Sequence, residues 1–111
     1  MAHQPPDATS RLLGLIGLGV RGGGVSIGVD GTRALLQRRE CLLVIVASDA
    51  TQRVQDKVVR LAKGIGVTVV EGPSADALGE RLGRPATMVV GVQDRALAAG
   101  ILAVTATRDR T

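Results

Sequence analysis

Residues 41–48 read CLLVIVAS, an apolar run from Cys41 to Ala47 closed by Ser48. An amphipathic helix would interrupt such a run with polar residues every third or fourth position, and a half-exposed strand would alternate. A run with neither period fits a strand covered on both faces, as in the centre of a layered α/β sheet. The downstream sequence agrees. Asp49 or Thr51 can cap a helix in which Val54, Val58, Leu61, Ala62 and Ile65 form one apolar stripe, while Arg53, Asp56, Lys57, Arg60 and Lys63 face water. Gly64 and Gly66 punctuate its end, and Val67 to Val70 reads as a second buried strand.

Working outward, GPSADALGERLG (72–83) reads as a turn, a Ser74 cap and a short helix. Thr87 to Val92 forms a last strand, and Asp94 opens a terminal helix containing Leu97, Ala98, Ile101 and Leu102. Upstream, Leu12, Leu13, Leu15 and Ile16 fall at helical spacing and predict a first helix over Ser10 to Val20. Gly22, Gly23 and Gly24 break it, Val25 to Ile27 alternates like a short strand, and Gly28 ends that strand. VDGTRALLQRRE (29–40) then predicts a helix with Asp30 placed to cap and Leu35 and Leu36 to bury. The order α-β-α-β-α-β-α-β-α implies an α/β fold, a three-layer α/β/α sandwich over a small four-stranded mixed sheet. Residues 1–9 are expected to be a disordered leader, 10–104 a single domain and 105–111 a polar tail.

Composition narrows the function. The chain has 111 residues, 45% of them hydrophobic, yet no Phe, Tyr or Trp, so its core rests on many small aliphatic contacts. The same absence removes the usual stacking platforms for single-stranded bases. Net charge is +4, and of the 14 Lys and Arg only Lys57 and Lys63 are lysines. A basic, arginine-rich domain favours a polyanionic partner such as nucleic acid over a membrane surface. Cys41 and His3 are the sole cysteine and histidine, which excludes an internal disulfide, a zinc finger and a Ser-His-Asp or Cys-His centre within one chain. No metal or small-molecule cofactor is expected. With no secretory pattern and no long apolar run, the chain reads as cytoplasmic.

GLGVRGGGVSIG (17–28) contains a G-x-G-x-x-G at Gly17, Gly19 and Gly22. A dinucleotide site needs strand, glycine turn, then a helix whose N-terminus meets the pyrophosphate. Here two more glycines and the β-like VSI follow Gly22, and Glu40 precedes the CLLVIVAS strand instead of ending it. The nucleotide reading therefore fails on context. What remains is a helix N-terminus at Gly28 to Arg33, with Arg21, Arg33, Arg38 and Arg39 near it in sequence. Either the bared amides and the helix dipole hold an anionic backbone, or the glycines only cap and turn while the arginines form a solvated face.

The succession RLLGLIGLG, VSIGVDGTRALLQRRE, LLVIVASDAT, GVTVVEG and ALGERLGRPATMVVGVQD, spanning about residues 10–103, resembles the kink-turn RNA-binding ribosomal-protein superfamily. That group includes archaeal L-seven-Ae and eukaryotic L-thirty-e, and the likeness extends to its bacterial YlxQ-type members. The resemblance rests on Ala47-Ser48-Asp49-Ala50-Thr51, on Gly66-Val67, and on the LGxxLG of Leu78 to Gly83. It implies an α/β/α sandwich, no catalysis, and an RNA site at the strand-to-helix glycine junction, usually G-x-N-E-x-x-K, with a second loop before the last strand. In this chain Gly28 matches the glycine, whereas Asp30, Gly31 and Ala34 replace the Asn, Glu and Lys.

The expected RNA-binding residues are therefore Arg21, Gly28, Val29, Asp30, Gly31 and Arg33, with Arg84, Pro85, Ala86 and Thr87 on the other side. Arg33 stands one position before the missing Lys and can substitute for it. The implied function is a non-catalytic, ribosome-associated RNA-binding protein with a degenerate recognition motif, its partner a structured RNA such as rRNA. The alternative is a protein-interaction module on the same fold that has lost kink-turn RNA. A nucleotide binder using the glycine loop is a third reading.

Overall fold

The computed structural model describes residues 8–109, with side-chain surroundings defined for 9–105. Most of the expected leader, residues 1–7, and the last two residues of the tail lie outside the described part. The chain runs through α1 (Ala8–Gly22), β1 (Val25–Ile27), α2 (Val29–Gln37), β2 (Leu43–Val46), α3 (52–64), β3 (Thr68–Glu71), α4 (Ala75–Leu82), β4 (Val89–Val92) and α5 (Arg95–Asp109). Helix α3 is continuous but widens to π geometry over Gln55–Val59.

The strands form one mixed sheet in the order β1-β4-β2-β3. β4 is antiparallel to both β1 and β2, while β2 and β3 pair in parallel with Ile45 opposite Val70. The stretch 67–70, read as a buried strand, falls in the edge strand β3, with Thr68 and Glu71 exposed. Of the run that decided the fold, only Leu43–Val46 form β2; all four are buried, while Leu42 is exposed. The side chains of β2 alternate between two cores. Leu43 and Ile45 join Leu12, Ile16, Leu78 and Ile101 under α1, α4 and α5. Val44 and Val46 join Leu35, Leu36, Val58 and Ala62 under α2 and α3. The result is three layers, helices on both faces of a four-stranded sheet. Among the described residues, no helix is long and apolar enough to cross a membrane.

Several helix limits differ from the sequence expectation, each for a local reason. Helix α1 starts at Ala8, inside the expected leader, and continues past Val20 to Gly22. The Gly24 amide then bonds the Gly19 carbonyl at 2.9 Å and closes the turn. Gly19 itself sits where any side chain would collide with Leu97 and Val25. Tertiary packing therefore outweighs the cost of glycine inside a helix.

Helix α2 stops at Gln37, short of Glu40, because Arg39 turns left-handed (φ 61) and the Glu40 amide folds back to the Leu35 carbonyl at 2.9 Å. Helix α5 runs on to Asp109 through the stretch read as a polar tail. Thr105, the first residue of that stretch, is 5% exposed, and its hydroxyl donates within the helix to the Ile101 or the Leu102 carbonyl. The last strand begins at Val89, later than Thr87, because the Thr87 amide bonds the Ala75 carbonyl of α4 instead of a sheet partner.

The caps sort themselves by geometry. Thr51 Oγ1 accepts from the Val54 amide and caps α3. Asp49 is released to reach across the chain, where its Oδ1 accepts from the Ala75 amide at 2.8 Å. Ser74 and Asp94 cap α4 and α5 as their positions predict. Asp30 does not cap α2; the capping position is Gly28, and Asp30 sits exposed in the first turn.

Candidate nucleic-acid interface

β1 delivers the chain to α2 through a single residue, Gly28, whose amide donates to the Val89 carbonyl at 2.9 Å. With φ 92 and ψ 174, Gly28 occupies a backbone region that side-chain-bearing residues avoid. It supplies no side-chain cap. The first amides of a helix have no acceptor within it, so the amides of α2's opening turn, at Val29, Asp30 and Gly31, stand without a capping group. A Cβ placed on Gly28 would find nothing within 4 Å, which leaves the junction open above.

The opposite wall of this opening comes from the loop between α4 and β4. Arg84, Pro85, Ala86 and Thr87 line, together with Gly28 and Val29, a concavity of about 390 Å³. Sequence separation hides this pairing; the sheet makes it, because β1 and β4 are hydrogen-bonded neighbours. Arg84, Pro85 and Ala86 are exposed, and the Arg84 guanidinium has no hydrogen-bond or ion-pair partner among the described residues. Val54, at the start of α3, also faces the concavity and is a contributor that the sequence did not single out.

Three expected site residues lie differently. Thr87 is 5% exposed, its hydroxyl donating to the Pro85 carbonyl at 3.1 Å, so it fixes the loop from beneath. Arg33 donates from its guanidinium to the main-chain carbonyl of Lys57, in the widened turn of α3, and ties α2 to α3. Arg21 ends α1, separated from Gly28 by the length of β1, and lines a different concavity. Arg38 pairs with Glu40 at 3.1 Å on the surface. Asp30 and Gly31 remain on the open turn, with Gly31 resting over the Ser26 side chain.

The region offers groups suited to an anion, beside the Asp30 carboxylate that opposes one. Uncapped amides and the positive helix end favour a negative oxygen, and an unpaired guanidinium stands on the facing loop. Cys41 offers no competing reactivity. It is a free, buried thiol whose pKa burial pushes above the ordinary value of 9.0, partly opposed by main-chain hydrogen bonds at Leu43 and Val92. No three His, Cys, Asp or Glu side chains converge to hold a metal among the described residues.

Fold and site together define a class: an α/β/α sandwich that presents a glycine-opened helix N-terminus beside the loop preceding its last strand. The chain belongs to the ribosomal protein L7Ae/L30e/S12e/Gadd45 family, whose model matches residues 11–100. That membership makes it a non-catalytic protein. No curated protein sequence matches it. Among solved structures it is similar to a protein of unknown function from Bacillus halodurans (TM-score 0.78, 24% identity, covering 85% of this chain and 95% of that one). It is also similar to the Giardia lamblia 15.5kD RNA binding protein (TM-score 0.72, 21% identity, covering 96% of this chain and 92% of that one). At these identities the two likenesses establish the shared fold.

Proposed function

We propose that the protein is a ribosome-associated RNA-binding protein that seats a bent, structured RNA, such as a segment of rRNA, on the opening turn of α2. The observation that carries this reading is the uncapped N-terminus at Gly28 facing the Arg84–Pro85–Ala86 loop across one concavity. Phosphate oxygens would take the amides of Val29, Asp30 and Gly31, with Arg84 clasping the far strand. Family membership and the fold shared with the Giardia lamblia 15.5kD RNA binding protein support it.

The recognition motif is degenerate. Asp30, Gly31 and Ala34 stand where the family motif carries Asn, Glu and Lys, so fewer side chains reach base edges. Asp30 accepts from guanine donors but repels phosphate, and Gly31 adds nothing. Affinity then comes mainly from the backbone, and binding should tolerate sequence changes while falling steeply with salt. The protein would act in the cytoplasm without a small-molecule cofactor.

Filter binding of an rRNA fragment containing an internal-loop kink, at low and high salt, tests this directly. Salt-sensitive binding that is stronger than to a straight duplex of equal length is expected. Absent or salt-insensitive binding overturns the reading. A protein partner that copurifies after complete nuclease treatment, with no RNA bound, would instead favour an interaction module on the same fold.

A further inference from the structure

On the sheet face away from α2 and α3, helices α1, α4 and α5 leave a trough of about 960 Å³ between them. Its floor is apolar. Leu15, Leu18, Val20 and Leu82 line it, and Leu18 and Val20 are 61% and 36% exposed, two of the few large hydrophobic side chains left in water. Its rim is cationic: Arg11, Arg21 and Arg81 line it, and none of the described acidic side chains does. On α1 the positions 11, 15, 18 and 21 recur at three- and four-residue spacing, so they share one helix face. Arg11 and Arg21 therefore stand about 15 Å apart along the axis, at opposite ends of the trough.

Arg81 is held in place rather than free. Its Nε donates to the Leu13 carbonyl at 3.2 Å, which draws the guanidinium across from α4 onto α1. It can lie there because Gly17 has no side chain; a Cβ at that position would come within 3.2 Å of Arg81 Nε. Gly17, one of the glycines that failed as a nucleotide motif, thus lowers one wall of the trough and lets a cation settle on it.

We propose that this trough docks an acidic amphipathic helix of a partner protein. An apolar stripe at i, i+3 or i+4, and i+7 would cover Leu15 and Leu18, and carboxylates beside the stripe would meet Arg11, Arg21 and Arg81. Charge and floor select this occupant. Phosphates of a nucleic acid would meet the arginines but leave the leucines wet. A second copy of the chain packed face to face about a two-fold axis would bring arginine against arginine in a protein of net charge +4. The trough is separate from the Gly28 opening, so this inference stands or falls independently of RNA binding.

The test is a phage-displayed library of helix-favouring peptides, about four turns long, panned against the nuclease-treated full chain. Enriched peptides should carry Asp or Glu flanking an apolar stripe. Their affinity should fall at least about tenfold in Leu18→Glu and in Arg21→Glu, because like charges across an interface repel, and should stay unchanged in Arg84→Ala. Both trough positions are exposed, and an unchanged thermal melt confirms folding of each variant. The proposal is overturned if nothing enriches, if the enriched peptides lack acids, or if binding ignores both substitutions. It is equally overturned if structured RNA displaces the peptides, or if the chain alone forms a dimer that Leu18→Glu abolishes.

Discussion

Gly79 in α4 lies so close to the main chain of Pro85 that a Cβ on it would overlap the Pro85 carbonyl oxygen. Helix and loop are in backbone-to-backbone contact, and two hydrogen bonds lock them there: the Arg84 amide to the Gly79 carbonyl and the Thr87 amide to the Ala75 carbonyl, both at 2.9 Å. The loop that faces the α2 opening is thereby a rigid extension of α4. In the LGxxLG motif the two glycines have different tasks. Gly79 admits the loop, and Gly83 ends the helix in a left-handed conformation.

Gly79→Ala should therefore push residues 84–87 outward. Overpacking of this kind costs about 1–3 kcal/mol, and the helix-propensity gain of alanine returns roughly 1 kcal/mol. A net loss of up to about 2 kcal/mol is expected, visible as a lower urea midpoint, with weakened RNA binding alongside it. Equal stability and equal RNA affinity would show that the loop position does not matter.

Gly28→Ala isolates a different effect. Nothing lies within 4 Å of the added carbon, so no clash occurs, and the cost comes from φ 92 and ψ 174 alone. A loss of about 1–3 kcal/mol is expected for an L-residue held there. Any relaxation would turn the first amides of α2, so RNA affinity should drop as well. Chemical denaturation and filter binding on the same sample separate the two outcomes.

The sequence made the sheet legible because its strongest signal is local. A strand buried on both faces must be apolar at every position, and Leu43 to Val46 obey that rule whatever surrounds them. Ser74 and Asp94 were equally readable, since each caps its own next turn. Non-local acceptors were not. Asp49 caps a helix whose first amide lies 26 residues away, and nothing near it in sequence announces that. The Gly28 junction was visible as a glycine between strand and helix. The destinations of Arg33, on the Lys57 carbonyl, and of Arg21, in the trough on the other face, depend on how helices approach one another.

Arg84→Ala should leave folding intact, because the side chain is exposed and has no partner among the described residues. Its effect belongs to binding. Removing one phosphate contact should weaken every RNA to a similar extent and reduce the slope of log affinity against log salt by about one unit. A slope identical to that of the parent would remove Arg84 from the interface. Arg21→Ala serves as the internal control and should leave the slope unchanged.

Thr32 is fully buried in α2, over the bare backbone of Gly91 in β4, and its Oγ1 has no hydrogen-bond partner among the described residues. Leaving a hydroxyl so placed costs on the order of 1–3 kcal/mol. Valine keeps the shape and removes the unmet need. Thr32→Val is expected to raise the urea midpoint, and a lower midpoint would mean that the hydroxyl contributes favourably after all.

The buried thiol gives a pH dependence whose sign can be worked out. Burial disfavours the thiolate of Cys41, so its pKa in the folded chain lies above the ordinary 9.0, despite the main-chain contacts at Leu43 and Val92 that pull the other way. In the unfolded chain the thiol loses its proton near the ordinary value. Above that pH the folded state holds more protons than the unfolded state, and stability falls as pH rises. The contribution is complete below the unfolded pKa and disappears as pH climbs through the folded one. Cys41→Ala removes this dependence while leaving every other side chain in place. Urea midpoints of parent and variant compared between about pH 8 and pH 10 should therefore converge toward the alkaline end, the parent falling faster. Parallel profiles would show that the thiol ionises as readily inside the fold as outside it.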